Sequence, residues 1–321
     1  MAARRDVDVA DLIERARAAD ARAVARLITL VENDSPVLRE IAAVFAPLAG
    51  RAHVVGLTGS PGVGKSTSTS ALVFALRALG QRVGVLAVDP SSPFSGGALL
   101  GDRVRMQDHA TDDHVFIRSL ASRGQLGGLS AAVPQALRVL DAAGCDTVLI
   151  ETVGVGQAEV EIASLADTTL VLLAPGMGDG IQAAKAGILE IADIFVVNKA
   201  DRDGADQVSR DLRHMLSLGG RHEHTNAWRP PIVKTVASRN EGVADVLAAI
   251  DKHWTWMQGH GELGRRRRAR AASEIEAIAL GQVRARFADV HGSAALDAAA
   301  ARVVAGATDP FTAAQELVDT L

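Results

Sequence analysis

The segment Gly59, Ser60, Pro61, Gly62, Val63, Gly64, Lys65, Ser66 fits the pattern G-x-x-x-x-G-K-[ST], and no other feature restricts the fold so strongly. Such a loop works only between a strand that aims it and a helix whose amino end faces the ligand. The flanks supply both: His53–Leu57 is a short strand-like apolar run, and Thr67–Leu79 has helical spacing. Glycines let backbone N–H groups turn inward around phosphates. In this reading Gly59 to Thr67 cradle the phosphates and Lys65 reaches the β- and γ-phosphates. The Ser66 hydroxyl then ligates Mg2+.

Beyond the loop, strand-sized runs alternate with helical stretches: Val83–Val88, Val115–Ser119, Thr147–Ile150, Thr168–Ala174, Ile194–Val197 and Ile232–Val236. They are nearly continuous in apolar residues, as parallel strands covered on both faces require. The alternation predicts an α/β fold of the P-loop NTPase kind, a doubly wound, mostly parallel sheet binding ligands at the carboxyl ends of its strands. Aromatic residues make up 3% of the chain and tyrosine is absent, so Ala, Val, Leu and Ile must fill the core.

Helical extensions are expected at both ends, giving segments 1–50, 51–258 and 259–321. The first carries Leu12, Ile13, Val24, Leu27, Ile28 and Val31 at helical spacing. Ser35 is expected to cap a further helix with Pro36 at its first position, burying Leu38, Ile41, Phe45 and Leu48. The last helix of the central unit is expected from Val243 to about Met257. Gly259-His260-Gly261 reads as a linker. After it come the arginine run Arg265–Arg270, apolar positions Ile275, Ile278, Val283 and Phe287, and a last helix entered at Asp309-Pro310.

Asn198-Lys199-Ala200-Asp201 fits N-K-x-D directly after a strand. An aspartate there can accept from guanine N1–H and the exocyclic amine, donors that adenine lacks on that edge. GTP and GDP are therefore the expected ligands. Taken alone the tetrapeptide also fits an ordinary helix start. Ala237-Ser238, after the next run, fits a short loop backing the guanine.

Two acids end strands on the phosphate side, Asp89 and Glu151. The latter opens Glu-Thr-Val-Gly154, similar to a D-x-x-G switch with Glu in place of Asp. Asp89, Asp102 and Glu151 are candidate Mg2+ partners, directly or through water, and Gly154 N–H is a candidate sensor of the γ-phosphate. Each acid could instead be a solvated loop carboxylate. Ras-like enzymes place a water-orienting Gln after the switch glycine. Here Val155 stands there, so slow intrinsic hydrolysis is expected, with Gln157 and the loop Pro175–Lys185 as candidates to complete the site.

Gly56–Thr67 (GLTGSPGVGKST), Val88–Pro93 (VDPSSP), Gly97–Met106 (GALLGDRVRM), Glu151–Gln157 (ETVGVGQ) and Asn198–Asp201 (NKAD) together resemble the methylmalonyl-CoA mutase-associated GTPases, the MeaB/ArgK family. The likeness covers nearly the whole chain, including Ile28–Asn33 (ITLVEN). It implies a homodimeric G protein that hydrolyses GTP and acts as chaperone to an adenosylcobalamin-dependent acyl-CoA mutase, by default methylmalonyl-CoA mutase. It also aligns Pro175–Lys185 with the family's switch III loop, which makes Lys185 a candidate coupling residue, and implies that the tail from about Gly259 mediates dimerisation.

Other functions fit the residues less well. A nickel-insertion GTPase needs Cys/His ligands, and Cys145 is the single cysteine. A kinase role, as in older family names, finds no H-R-D loop. A non-catalytic nucleotide-gated module is opposed by Lys65, Ser66 and the switch acids. Net charge −4 argues against nucleic acid, with Arg265–Arg270 expected as a solvated helix face. His222-Glu223-His224 reads as a loop rather than a metal site, and Cys145 as a small core residue. No apolar leader or membrane-length run is evident, so a cytoplasmic protein without membrane contact is expected.

Overall fold

Among the described residues of the computed structural model the sheet has seven strands, all paired in parallel, in the order β3-β2-β4-β1-β5-β6-β7. The structure describes residues 8–33, 35–89, 109, 111–121, 132–152, 158–176, 189–218, 227–288 and 293–319. The strands are β1 (His53–Thr58), β2 (Val83–Asp89), β3 (Val115–Ala121), β4 (Thr147–Thr152), β5 (Thr168–Leu173), β6 (Ile194–Val197) and β7 (Ile232–Lys234). Every residue of β1, β4, β5 and β6 is buried. That explains the nearly continuous apolar runs, because parallel strands carry helices on both faces.

The helices are α1 (Val9–Arg17), α2 (Ala21–Glu32), α3 (Leu38–Phe45), α4 (Lys65–Ala78), α5 (Ala132–Ala142), α6 (Ala158–Leu165) and the short α7 (Leu189–Ile191). They continue with α8 (Ala205–Leu218), α9 (Val243–Gly259), α10 (Glu262–Ala288), α11 (Ala294–Val304) and α12 (Pro310–Asp319). One face of the sheet packs Val55, Leu57, Leu170 and Val196 against Leu72 and Val73 of α4 and Val246 and Ile250 of α9. On the other face Val54, Val148 and Ile150 meet Val133, Ala136 and Leu140 of α5, and α2 adds Val24, Leu27 and Ile28 to that layer. Cys145 is buried just ahead of β4, and burial pushes its thiol up to about 12.

The amino-terminal helices are fixed to this layer by caps and charge. Asp8 and Asp20 cap α1 and α2 through their carboxylates. Arg118 of β3 pairs with Glu32 and donates to the Thr29 hydroxyl of α2 at 3.2 Å. The Asp141 carboxylate of α5 accepts from the N–H groups of Gly50, Arg51 and Ala52, which sets the entry into β1. The expected Ser35 cap is corrected. α3 begins at Leu38, Val37 stands at its cap without a side-chain bond, and the Ser35 carbonyl accepts the Leu38 N–H instead. Pro36 therefore lies in a turn ahead of the helix.

The chain divides into two compact units, residues 1–266 and 267–321. α9 ends at Gly259, Gly261 takes φ +70°, and α10 begins at Glu262. The arginine run is not uniformly solvated, as the sequence suggested. The Arg266 guanidinium, with 26% of its side chain exposed, binds both oxygens of Asp193 and also the Asp167 carbonyl. Beside this pair His253 is fully buried, with Nε2 3.3 Å from Asp193 and Nδ1 2.9 Å from the Thr168 hydroxyl. Thr168 also meets His53 Nε2 at 2.8 Å. Trp254 stacks on His53, and Trp228 packs on His253 and Trp256, so all three tryptophans gather at the amino ends of β1, β5 and β6.

In the second unit α11 is capped by Ser293, and Asp309 accepts from the N–H groups of Phe311 and Thr312 at the start of α12. Arg302 and Glu316 join these two helices. Ile275, Ile278, Leu280 and Val283 of α10 are exposed. No described helix is long and apolar enough to cross a membrane.

Candidate functional site

Strand β1 lies between β4 and β5, so the loop that leaves it at Gly59 emerges where the chain turns from one side of the sheet to the other. Ligands of doubly wound sheets bind at this kind of crevice. Gly59 takes φ +141°, and a Cβ there would come 2.3 Å from the Leu172 carbonyl oxygen. Gly64, at φ +98°, forms the amino cap of α4 without any side-chain bond, leaving the first N–H groups of that helix for a ligand. Lys65 is folded over the loop and donates to the carbonyls of Gly59 at 2.6 Å and Ser60 at 3.2 Å. A phosphate offers the same ammonium stronger, charged acceptors.

Asn198 organises the neighbouring loops. Its Nδ2 donates to the Val63 carbonyl at 2.9 Å, while its Oδ1 accepts from the Thr235 hydroxyl and the Ala237 N–H, both at 3.1 Å. Lys199, at φ +57°, reaches back to the Gly62 carbonyl at 2.6 Å. A Cβ on Gly64 would stand 2.4 Å from Asn198 Nδ2, so glycine is what allows this close approach. The structure thus brings the predicted phosphate loop, N-K-x-D segment and Ala237 loop together. Asp201 stands exposed at the rim, 3.5 Å from Arg239.

Sequence reasoning missed Thr235, because it extended the last strand through Val236. β7 ends at Lys234 instead, and Val236 turns back to pair with Glu241 as an isolated antiparallel bridge. A β-branched residue two positions before Ala237 was the available signal. Ser238 follows Ala237 within one turn of 3-10 helix, Ala237–Arg239.

Glu151, the penultimate residue of β4, has Leu57 of β1 and Ala87 of β2 as its register partners, which puts its carboxylate beside the loop's root. It is 1% exposed and accepts from the Thr69 hydroxyl of α4 at 2.5 Å. Thr69, one turn beyond Lys65, is a second contact that the sequence did not flag. Asp89 ends β2, but its side chain lies outside the described residues, as do Asp102, Gly154, Gln157, Lys185 and His222-Glu223-His224.

A parallel sheet with a glycine-rich loop running into α4 is the architecture of P-loop GTPases. A crystal structure titled LAO/AO transport system kinase shares it, with a TM-score of 0.72 over 98% of both chains at 27% identity. The model of the family described as methylmalonyl Co-A mutase-associated GTPase MeaB matches residues 24–291, and the chain belongs to that family. It is 47% identical to a protein of Pyrococcus abyssi whose name places it among the GTPases, over 96% of this chain and 95% of that one. It is 36% identical to the GTPase ArgK of Escherichia coli over 80% of each chain. The methylmalonic aciduria type A homolog of Caenorhabditis elegans is 34% identical over 82% of this chain and 70% of that protein. The protein is accordingly a GTPase.

Proposed function

We propose that this GTPase uses GTP binding and hydrolysis to assemble, protect or reactivate an adenosylcobalamin-dependent acyl-CoA mutase, with methylmalonyl-CoA mutase as the first candidate. The supporting observation is family membership across residues 24–291 in a family described by its association with that mutase. The relative named for methylmalonic aciduria points the same way.

In this reading the loop from Gly59 to Thr67 holds the phosphates and Lys65 exchanges its carbonyl partners for the β- and γ-phosphates. Asn198 holds the base loops in register, Asp201 reads guanine, and Lys199, Ala237 and Ser238 line the base. Ser66 and Glu151, with Asp89 and Asp102, would hold Mg2+. Hydroxyl and carboxylate oxygens suit that hard cation, and Glu151 is a buried carboxylate beside the loop. When bound, Mg2+ neutralises charge on the β- and γ-phosphates. Gly154, Gln157 and Lys185 are assigned to sensing and completing the hydrolytic site. The proposal includes the boundaries 1–50, 51–258 and 259–321, a homodimer formed through the last segment, and a cytoplasmic setting without nucleic-acid or membrane partners.

The test is purified protein with and without a purified mutase. Co-elution in the presence of a non-hydrolysable GTP analogue, together with altered GTP turnover, is expected. No complex and unchanged turnover would remove the mutase from the reading while leaving the GTPase intact.

A further inference from the structure

We propose that Arg239 is a positioning residue for guanine selection, acting through Asp201. The inference rests on the reading of Asp201 as the base-reading carboxylate and goes beyond it. The loop that carries Arg239 has little freedom. Ala237–Arg239 makes one 3-10 turn, Asn240 closes it at φ +58°, and Glu241 pairs back with Val236 through both backbone bonds. Gly242 follows at φ +75°, where a Cβ would lie 2.1 Å from the Lys234 carbonyl oxygen. The backbone at Arg239 is therefore set by its neighbours on both sides. It is also tied to the site itself, because the Ala237 N–H binds Asn198.

The guanidinium is held as well. Glu241 accepts from Arg239 Nε at 2.8 Å and from Nη2 at 3.3 Å. That grip uses one side of the planar fork and leaves Nη1 directed at Asp201 Oδ2, 3.5 Å away. Among the described residues no hydrogen bond fixes the Asp201 side chain, so this ion pair is the contact that can orient it. The division of charge is suited to the task. The closer carboxylate, Glu241, takes both hydrogen bonds of the guanidinium, and the longer contact leaves both Asp201 oxygens able to accept from guanine. A carboxylate oriented before the base arrives loses less freedom on binding. Both side chains are substantially exposed, so the effect is a modest one.

The experiment compares GDP with inosine diphosphate, which lacks the 2-amino group that Asp201 would bind. Affinities are measured for the full chain, wild type and the variants Arg239→Ala, Arg239→Lys and Asp201→Asn. Arg239→Ala is expected to weaken GDP about 2- to 5-fold while changing inosine diphosphate less, so that the preference for guanine falls. Arg239→Lys should restore part of that preference, because a point charge can still approach Asp201. Equal weakening of both nucleotides, no change, or tighter GDP binding by Arg239→Ala would overturn the proposal. Asp201→Asn separates the two layers. If it abolishes the preference while Arg239→Ala does not, only the role of Arg239 falls; if it leaves the preference intact, the base reading itself fails.

Discussion

Arg266 and Asp193 form a two-pronged ion pair at the amino ends of the central strands, Nη1 to Oδ2 at 2.8 Å and Nη2 to Oδ1 at 2.9 Å. Asp193 also accepts the Thr169 N–H at 2.9 Å and is 6% exposed. Removing one partner of a buried pair leaves the other uncompensated. Arg266→Gln should therefore destabilise the protein by about 3–5 kcal/mol. His253 then becomes the remaining cationic group against Asp193, so the loss should shrink as pH falls and His253 protonates. Thermal unfolding of wild type and variant between pH 8 and pH 5 checks this; a deficit independent of pH would refute the exchange of partners.

In the wild type the same histidine gives the opposite pH dependence. Burial and the Arg266 charge hold His253 down at about 4, although Asp193, Glu262 and Asp167 favour its protonation. Its folded value lies below the unfolded value of about 6.5, so between the two the unfolded chain binds more protons. Stability should then be full above about pH 6.5 and fall by about 3 kcal/mol as pH drops towards 4. Glu262, held down to about 2 by Arg265 and Arg266, adds acid lability of the usual carboxylate sign below about pH 4.5. Urea unfolding followed by tryptophan fluorescence measures the slope, and His253→Gln should flatten it between pH 6.5 and 4.

The strand core and the phosphate loop were legible in the sequence because their signals are local. A nearly continuous apolar run such as Thr168–Leu173 and a glycine pattern such as Gly59–Gly64 state their own requirements. Arg266 was illegible for the opposite reason: its partner Asp193 lies 73 positions away, and a run of arginines looks solvated until the partner is known. Thr235 and Val236 are β-branched and continue the strand pattern that begins at Ile232. What ends β7 is the return pairing of Val236 with Glu241, which propensity does not encode. Asn198 was recognised as part of a motif, while its function as the tie between three loops appears only in the fold.

That tie makes a prediction of its own. Asn198→Ala removes the acceptor for Thr235 Oγ1 and the Ala237 N–H and the donor to the Val63 carbonyl. Buried polar groups left without partners cost about 1–3 kcal/mol each. The variant should lose about 2–3 kcal/mol of stability and bind GDP at least about 10-fold more weakly, since the phosphate loop and the Ala237 loop lose their common reference. Calorimetric unfolding and fluorescent-GDP titration report the two effects. Retained affinity would show that the loops hold their positions without Asn198.

Asp201→Asn tests the base assignment by chemistry. The amide presents a donor where guanine presents its 2-amino donor, whereas xanthine has a carbonyl there. GTP should weaken by at least about 10-fold, and xanthosine triphosphate should become the better ligand. Competition titration against a fluorescent nucleotide decides it, and unchanged GTP affinity would remove Asp201 from the base site.

The rate of hydrolysis follows from Val155. If Gly154 is the switch glycine proposed above, the valine after it has no group that can orient water, and the isolated protein should turn over GTP slowly, below about 1 s⁻¹ in a single-turnover measurement. Lys65, proposed to bind the phosphates, is held over the loop by the Gly59 carbonyl, so nucleotide affinity should be high even where turnover is slow. The variants Gln157→Ala and Lys185→Ala separate the candidates that complete the site: the one that contributes should lower the rate further while leaving GDP affinity unchanged. A single-turnover rate well above 1 s⁻¹ for the protein alone would mean that a residue of this chain already supplies what Val155 cannot.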